Sequence, residues 1–122
     1  ADAVPAAAQA IAAATGCEVR TTAAIRDADD IDAVVICTPT DTHADLIEAC
    51  ARAGKAVFCE KPIDLDLARV VRCLSVVRKT QATLMVGFNR RFDPHFRAVR
   101  AAIDEGAVGA VEMVTIVSRD PG

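Results

Sequence analysis

Three short segments hold the groups able to do chemistry: Thr38-Pro39-Thr40 with His43 just beyond, Glu60-Lys61-Pro62, and Asn89-Arg90-Arg91. A hydroxyl, backbone N–H groups and an imidazole at a helix start suit a phosphate or a ribose, because the helix dipole is positive there. An N-capping turn with an exposed His43 fits the same spacing. Glu60-Lys61 sets a carboxylate beside an amine, and a lysine partly withdrawn from water can polarise or deprotonate a hydroxyl. A salt-bridged strand exit accounts for it equally well. Pro62 restricts Lys61 to extended backbone angles and permits a cis bond. Arg90-Arg91 is either a clamp for an anionic ligand or a solvated pair bridging to Asp93. His95, behind Pro94, reads as solvated.

These segments need elements to position them. Ala33 to Cys37, Ala56 to Cys59 and Thr83 to Val86 are short continuous apolar runs, as expected of strands buried on both faces. Between the first two, residues 41 to 53 predict a helix capped by Thr40 or Asp41, with Leu46, Ile47 and Cys50 on one face and Gly54 after its end. Between the second and third, Asp64 or Asp66 caps a helix whose apolar stripe is Leu67, Val70, Val71, Leu74 and Val77. Alternation of this kind selects parallel strands whose C-terminal ends share one edge, where ligands bind in open α/β sheets. Upstream, Pro5 opens an Ala-rich helix that Gly16 ends, and Glu18 to Arg20 reads as a short strand. Downstream, Asp93-Pro94 opens a helix with Phe96, Val99 and Ile103 on one face and Gly106 past its end. Val111 to Val117 alternates like a strand of a half-exposed sheet.

The composition narrows the function. The chain has 122 residues, 52% of them hydrophobic and 3% aromatic, with a net charge of -3. That is one domain's worth of core, poor in the aromatics of a β-sandwich and short of the basic surface that nucleic acid requires. No apolar run approaches the roughly 20 residues of a membrane span, and no signal peptide is visible, so a cytoplasmic location is expected. The five cysteines, without a C-x-x-C pair, read as reduced thiols rather than metal ligands.

Taken together, Ile36-Cys37-Thr38-Pro39-Thr40-Asp41-Thr42-His43, the Gly54-Lys55 turn into Val57-Phe58-Cys59-Glu60-Lys61-Pro62, Val86-Gly87-Phe88-Asn89-Arg90-Arg91-Phe92 and Ser118-Arg119-Asp120-Pro121 resemble the Gfo/Idh/MocA family of NAD(P)-dependent oxidoreductases. Within it, bacterial inositol 2-dehydrogenases are most similar. The resemblance implies an α/β fold: a partial Rossmann-type parallel sheet with flanking helices over residues 1–109, and over 110–122 the first strand of an α+β C-terminal domain for substrate and oligomer contacts. It implies that Thr38, Pro39 and His43 line the dinucleotide site and that Glu60 meets the nicotinamide riboside. Lys61 would bind cofactor and substrate and act as the catalytic residue. Asn89 would border the nicotinamide and Arg91 the substrate. Asp2 would hold the adenosine ribose and favour NAD over NADP. The implied reaction is oxidation of a secondary ring hydroxyl, myo-inositol to 2-keto-myo-inositol, in inositol catabolism by a homotetramer, with an Asp and a His of the larger sheet domain completing proton abstraction.

No G-x-G-x-x-G occurs in the chain, so the resemblance implies an internal stretch of a longer enzyme, with the 122 residues alone inactive. Other expectations remain open beside this one: another sugar dehydrogenase or reductase of the family, an inactive truncated fragment, or a non-catalytic α/β module such as a receiver-like domain. A receiver needs an acidic phosphoacceptor ending a central strand, where this chain has Cys37-Thr38.

Overall fold

The structure is a computed structural model that describes residues 1–119; Asp120 and Pro121 of the closing motif lie outside the described residues. The chain forms two compact units, Ala1–Gly87 and Phe88–Gly122.

The first unit runs α1 (Pro5–Thr15), α2 (Thr22–Asp27), β1 (Ala33–Ile36), α3 (Thr40–Arg52), β2 (Ala56–Glu60), α4 (Leu67–Thr80) and β3 (Leu84–Gly87). The three strands form one parallel sheet in the order β1-β2-β3, with Val35 opposite Phe58 and Glu60 opposite Gly87. Side chains alternate across a strand, so Val34, Ile36, Val57, Cys59 and Leu84 share the face packed against α3 and α4. There they join Ala44, Ile47, Cys50 and Cys73 in the core. Gly54, at φ 76, makes the turn from α3 into β2 in a conformation that side chains disfavour.

The opposite face differs from the expectation of two buried faces. Val35 and Met85 are 71% and 46% exposed, because among the described residues no helix lies over them. β1 ends at Ile36, where its pairing with β2 stops, and Cys37, placed by the sequence in a buried run, is exposed. In α4 the packed residue is Cys73, with Val77 beside it, whereas Leu67 and Val71 of the predicted stripe are exposed. The helix presents the i, i+4 face of Cys73 and Val77 to α3, Val70 and Leu74 of the stripe are half-buried, and Leu67 and Val71 are turned away. Of the two candidate caps, Asp66 is the one used, accepting the Ala68 N–H at 2.9 Å. For α3 neither Thr40 nor Asp41 caps: the N-cap is Pro39, which offers no side-chain acceptor.

Glu18 to Arg20, expected as a strand, pairs with no strand among the described residues. The Arg20 guanidinium instead holds Glu18 and Asp30 at 2.8 Å, and a lone strand has no ladder to stabilise it. Residues 22–27 form a helix the apolar pattern did not announce, capped by Thr21 accepting the Ala24 N–H. The second unit holds a 3-10 turn (Asn89–Arg91) and α5 (Pro94–Asp104), opened by Asp93, which accepts the His95 and Phe96 N–H groups. Val111 to Val117, the expected first strand of a further sheet, is not a strand here, and its large side chains are exposed. No neighbouring strand among the described residues offers it a partner. No helix of the described residues is long and apolar enough to cross a membrane.

Candidate functional site

In a parallel sheet all strands end on one edge, so the turns after β1 and β2 emerge together. Beside the first lies a cleft of about 830 Å³ lined by Asp2, Arg20, Thr38, Pro39, Asp41 and Asp45, among others. Three of the expected cofactor residues, Asp2, Thr38 and Pro39, therefore meet in one place. Asp2 uses Oδ1 to accept the Val4 N–H at 2.7 Å and so ties down the start of α1.

Thr42 was not singled out from the sequence, yet it decides what Thr38 can do. Its hydroxyl donates to the Pro39 carbonyl at 2.7 Å, and its oxygen lies 2.6 Å from that of Thr38. Having one proton each, the hydroxyls line up with Thr38 donating to Thr42. Thr38 is left with lone pairs to offer, an acceptor for a sugar hydroxyl and not a donor to a phosphate. The charges agree: Asp2, Asp41 and Asp45 face the cleft, and the one guanidinium among the residues named, Arg20, is bonded to Glu18 and Asp30. An uncharged ribose diol fits this lining better than an added phosphate group does. The donor set thus suits the adenosine ribose of NAD.

His43 departs from its expected place. It is 1% exposed and lies beneath the edge, with Nε2 2.7 Å from the Thr38 carbonyl oxygen and Nδ1 2.7 Å from that of Pro62. Both ring nitrogens are engaged by backbone, so neither reaches the cleft. An imidazole three residues into a helix can turn inward as readily as outward, and the sequence carries no signal separating the two.

After β2, Glu60 is half-buried and its Oε2 lies 3.3 Å from the Lys61 N–H. The Lys61–Pro62 bond is cis. Lys61 is exposed and has no ion-pair partner among the described residues. The salt-bridged exit is therefore ruled out for this lysine, and the expected withdrawal from water is not provided by the described residues. Gly87, opposite Glu60, is a residue sequence reasoning passed over. A Cβ built on it would stand 3.0 Å from the Phe58 ring tip and 3.2 Å from Glu60 Oε1, so its missing side chain makes room for the carboxylate. A glycine at the end of a strand was the available signal.

Asn89 and Arg91 belong to the second unit. Asn89 Oδ1 accepts the Arg90 N–H at 2.9 Å, and Arg90 lies 5.5 Å from the Phe96 ring centre. Arg90, Arg91, Arg97 and Arg100 border an open hollow of about 820 Å³, where Arg100 is paired with Asp104. The predicted bridge to Asp93 is absent, because that carboxylate caps α5. Arg90 and Arg91 are both exposed.

Behind the edge, α3 and α4 are locked by charge. Glu48, 8% exposed, accepts from Arg69 at 2.6 Å and from Arg52 at 2.7 Å, and Arg69 also reaches Asp45. Burial pushes the Glu48 carboxyl up, but the two guanidiniums outweigh it and hold it below the usual carboxylate range. Burial pushes the Cys59 thiol up to about 11, so it is an inert core group. Lys55, also buried, donates its ammonium to the Ala28 carbonyl and anchors the loop leading to β1.

Comparison with known proteins gives the family and the fold. Residues 1–88 match the Gfo/Idh/MocA family, described as an oxidoreductase family with an NAD-binding Rossmann fold. An inositol 2-dehydrogenase of Rhizobium meliloti strain 1021 is 77% identical over 121 residues, 99% of this chain and 37% of the relative. The chain thus spans little more than a third of that curated relative's length. The crystal structure of a candidate myo-inositol dehydrogenase from Sinorhizobium meliloti 1021 superposes with a TM-score of 0.84 at 76% identity, covering 88% of this chain and 33% of that one. The scyllo-inositol dehydrogenase of Lactobacillus casei, solved with bound NAD(H) and scyllo-inositol, gives a TM-score of 0.81 at 34% identity over 87% of this chain and 32% of its own.

Proposed function

The chain belongs to the Gfo/Idh/MocA oxidoreductases, with their NAD-binding Rossmann fold, and on that premise we propose that the protein carrying it oxidises a secondary ring hydroxyl of a cyclitol, myo-inositol to 2-keto-myo-inositol. The observation that carries the reading is the pairing, on one sheet edge, of an acidic, acceptor-rich cleft at Thr38 with an ammonium at Lys61 that has no ion-pair partner among the described residues.

Asp2 and Thr38 accept hydrogen bonds from the adenosine ribose, which selects NAD, since a 2′-phosphate would face the carboxylates of Asp2, Asp41 and Asp45. Bound there, the nicotinamide cofactor supplies the acceptor for the hydride leaving the alcohol carbon. Glu60, held in the space that Gly87 leaves open, meets the riboside. The Lys61 ammonium donates to the reacting hydroxyl oxygen and stabilises the negative charge that grows there as its proton departs. Lys61 is the stabiliser; the proton goes to the Asp and His that the family resemblance assigns outside this chain. The family resemblance assigns Asn89 to the nicotinamide and Arg91 to the substrate. The inositol-dehydrogenase names of the relatives support the substrate class. The same reading takes residues 1–109 as the nucleotide-binding part and 110–122 as the lead into the substrate and oligomerisation part of a cytoplasmic homotetramer.

The test is NAD reduction with myo-inositol by the intact protein. Lys61→Ala is expected to lower kcat by on the order of 10²-fold or more. Activity within about twofold of wild type would refute the role, because a positioned hydrogen-bond donor at the developing negative charge contributes far more than that.

A further inference from the structure

His43 is buried, yet it is not apolar filler. Its two ring nitrogens each lie 2.7 Å from a backbone carbonyl oxygen, one belonging to Thr38 and the other to Pro62. A carbonyl oxygen accepts only, and a neutral imidazole has a single N–H. With one proton on the ring, one of these short contacts would set a nitrogen lone pair against an oxygen lone pair. Both contacts are satisfied only when both nitrogens carry a proton.

The two carbonyls are on different turns. Thr38 follows β1 and Pro62 follows β2, and the ladder between those strands reaches only to Ile36 opposite Cys59. Past that point no other hydrogen bond among the described residues joins the turns. The ring is their cross-tie. On one side it fixes the turn carrying Thr38 and Pro39, and on the other the peptide that follows Lys61.

Burial by itself disfavours a charged ring, so the two carbonyl acceptors are what would hold the second proton; the nearest strand carboxylate, Glu60 of β2, is turned to the Lys61 N–H. On α3 itself Asp41 stands in the first turn and Asp45 one turn on. From α4, Arg69 is neutralised by Asp45 and Glu48, and the Cys73 thiol donates to the Ala44 carbonyl. From β2, the Cys59 thiol is turned toward the Glu60 carbonyl; β1 carries no titratable side chain. No carboxylate is bonded to the ring, so its protons answer to the two carbonyl dipoles, which point their negative ends at it.

We propose that His43 is a doubly protonated clamp between the Thr38 and Pro62 turns, a positioning residue that sets the cofactor cleft and Lys61 at their working separation. The proposal rests on the dehydrogenase reading for its consequence and on geometry alone for its protonation state.

Two measurements on the intact protein separate these. In side-chain ¹⁵N NMR at neutral pH, His43, assigned by its loss in His43→Gln, is expected to show two protonated, slowly exchanging nitrogens. One bare nitrogen overturns the clamp, whether or not the protein turns over inositol. In kinetics, His43→Gln is expected to lower kcat and raise the KM for NAD together, kcat/KM falling on the order of 10- to 100-fold, as small misplacements of reacting groups do. Wild-type kcat and KM in the folded fraction, with only a lower Tm, would make His43 a packing residue and overturn its positioning role. Should His43→Gln fail to fold, the wild-type spectrum decides, with His43 assigned through its backbone. A protonated clamp in a protein inert toward inositol overturns the proposed function and leaves the clamp standing.

Discussion

Replacing Glu48 by alanine is expected to destabilise the fold by about 2–3 kcal/mol, far more than its surface partner Arg52 would suggest. The figure follows from the burial of each partner. Glu48 and Arg69 have side-chain exposures of 10% and 17% and meet at 2.6 Å, where a charge-assisted hydrogen bond contributes about 1.5–3 kcal/mol. Arg52 is 57% exposed and one turn away, so screening reduces its bond to about 0.3–0.5 kcal/mol. Alanine's higher helix propensity returns only a few tenths of a kcal/mol, while Arg69 keeps Asp45 as a partner. Urea unfolding at neutral pH measures the change as a shift in midpoint at constant slope. Arg52→Ala, the internal control, is expected to cost about 0.5 kcal/mol or less. The sign with pH is also set. The folded carboxyl of Glu48 lies below its ordinary value, so its contribution is complete above the unfolded pKa of about 4.3 and is lost as pH falls through the lower folded value. The gap between wild type and Glu48→Ala should therefore close in acid. A Glu48→Ala cost no larger than that of Arg52→Ala, or a gap that widens in acid, would refute the argument from burial.

Gly87→Ala is expected to push the Glu60 carboxylate off its position and to cost about 1–3 kcal/mol, read as a lower Tm with reduced NAD-linked turnover; wild-type values of both would show that Phe58 and Glu60 yield freely. Asp2→Ser is expected to shift the ratio of kcat/KM for NADP over NAD upward by about tenfold, roughly 1.4 kcal/mol, and an unchanged ratio would remove Asp2 from cofactor choice. In the 122-residue chain, Cys17 and Cys37 are exposed while Cys50, Cys59 and Cys73 are buried. Native alkylation followed by mass measurement should add two labels and leave three for the denatured chain. Early labelling of Cys59 would contradict its burial.

The sequence by itself determined the parallel α/β order. Apolar runs separated by amphipathic helices, with Gly54 and Asp66 at their ends, leave little choice once strands are buried and crossovers have one hand. It also placed Thr38 and Lys61 at strand ends, because residues following parallel strands must share an edge. The apolar stripe of α4 did not say that Cys73 and Val77, rather than Leu67 and Val71, would meet α3, since a helix that is apolar over much of its circumference has several faces to offer. Val111 to Val117 shows the limit of pattern reading: alternation specifies a strand only where a partner exists to pair with it. Tertiary structure alone decided the fate of His43, Thr42 and Gly87. An imidazole's worth depends on which acceptors surround it, a hydroxyl's on where its one proton goes, and a glycine's on what would occupy its missing side chain. Each of those is a property of neighbours distant in the chain, and spacing along the sequence does not encode it.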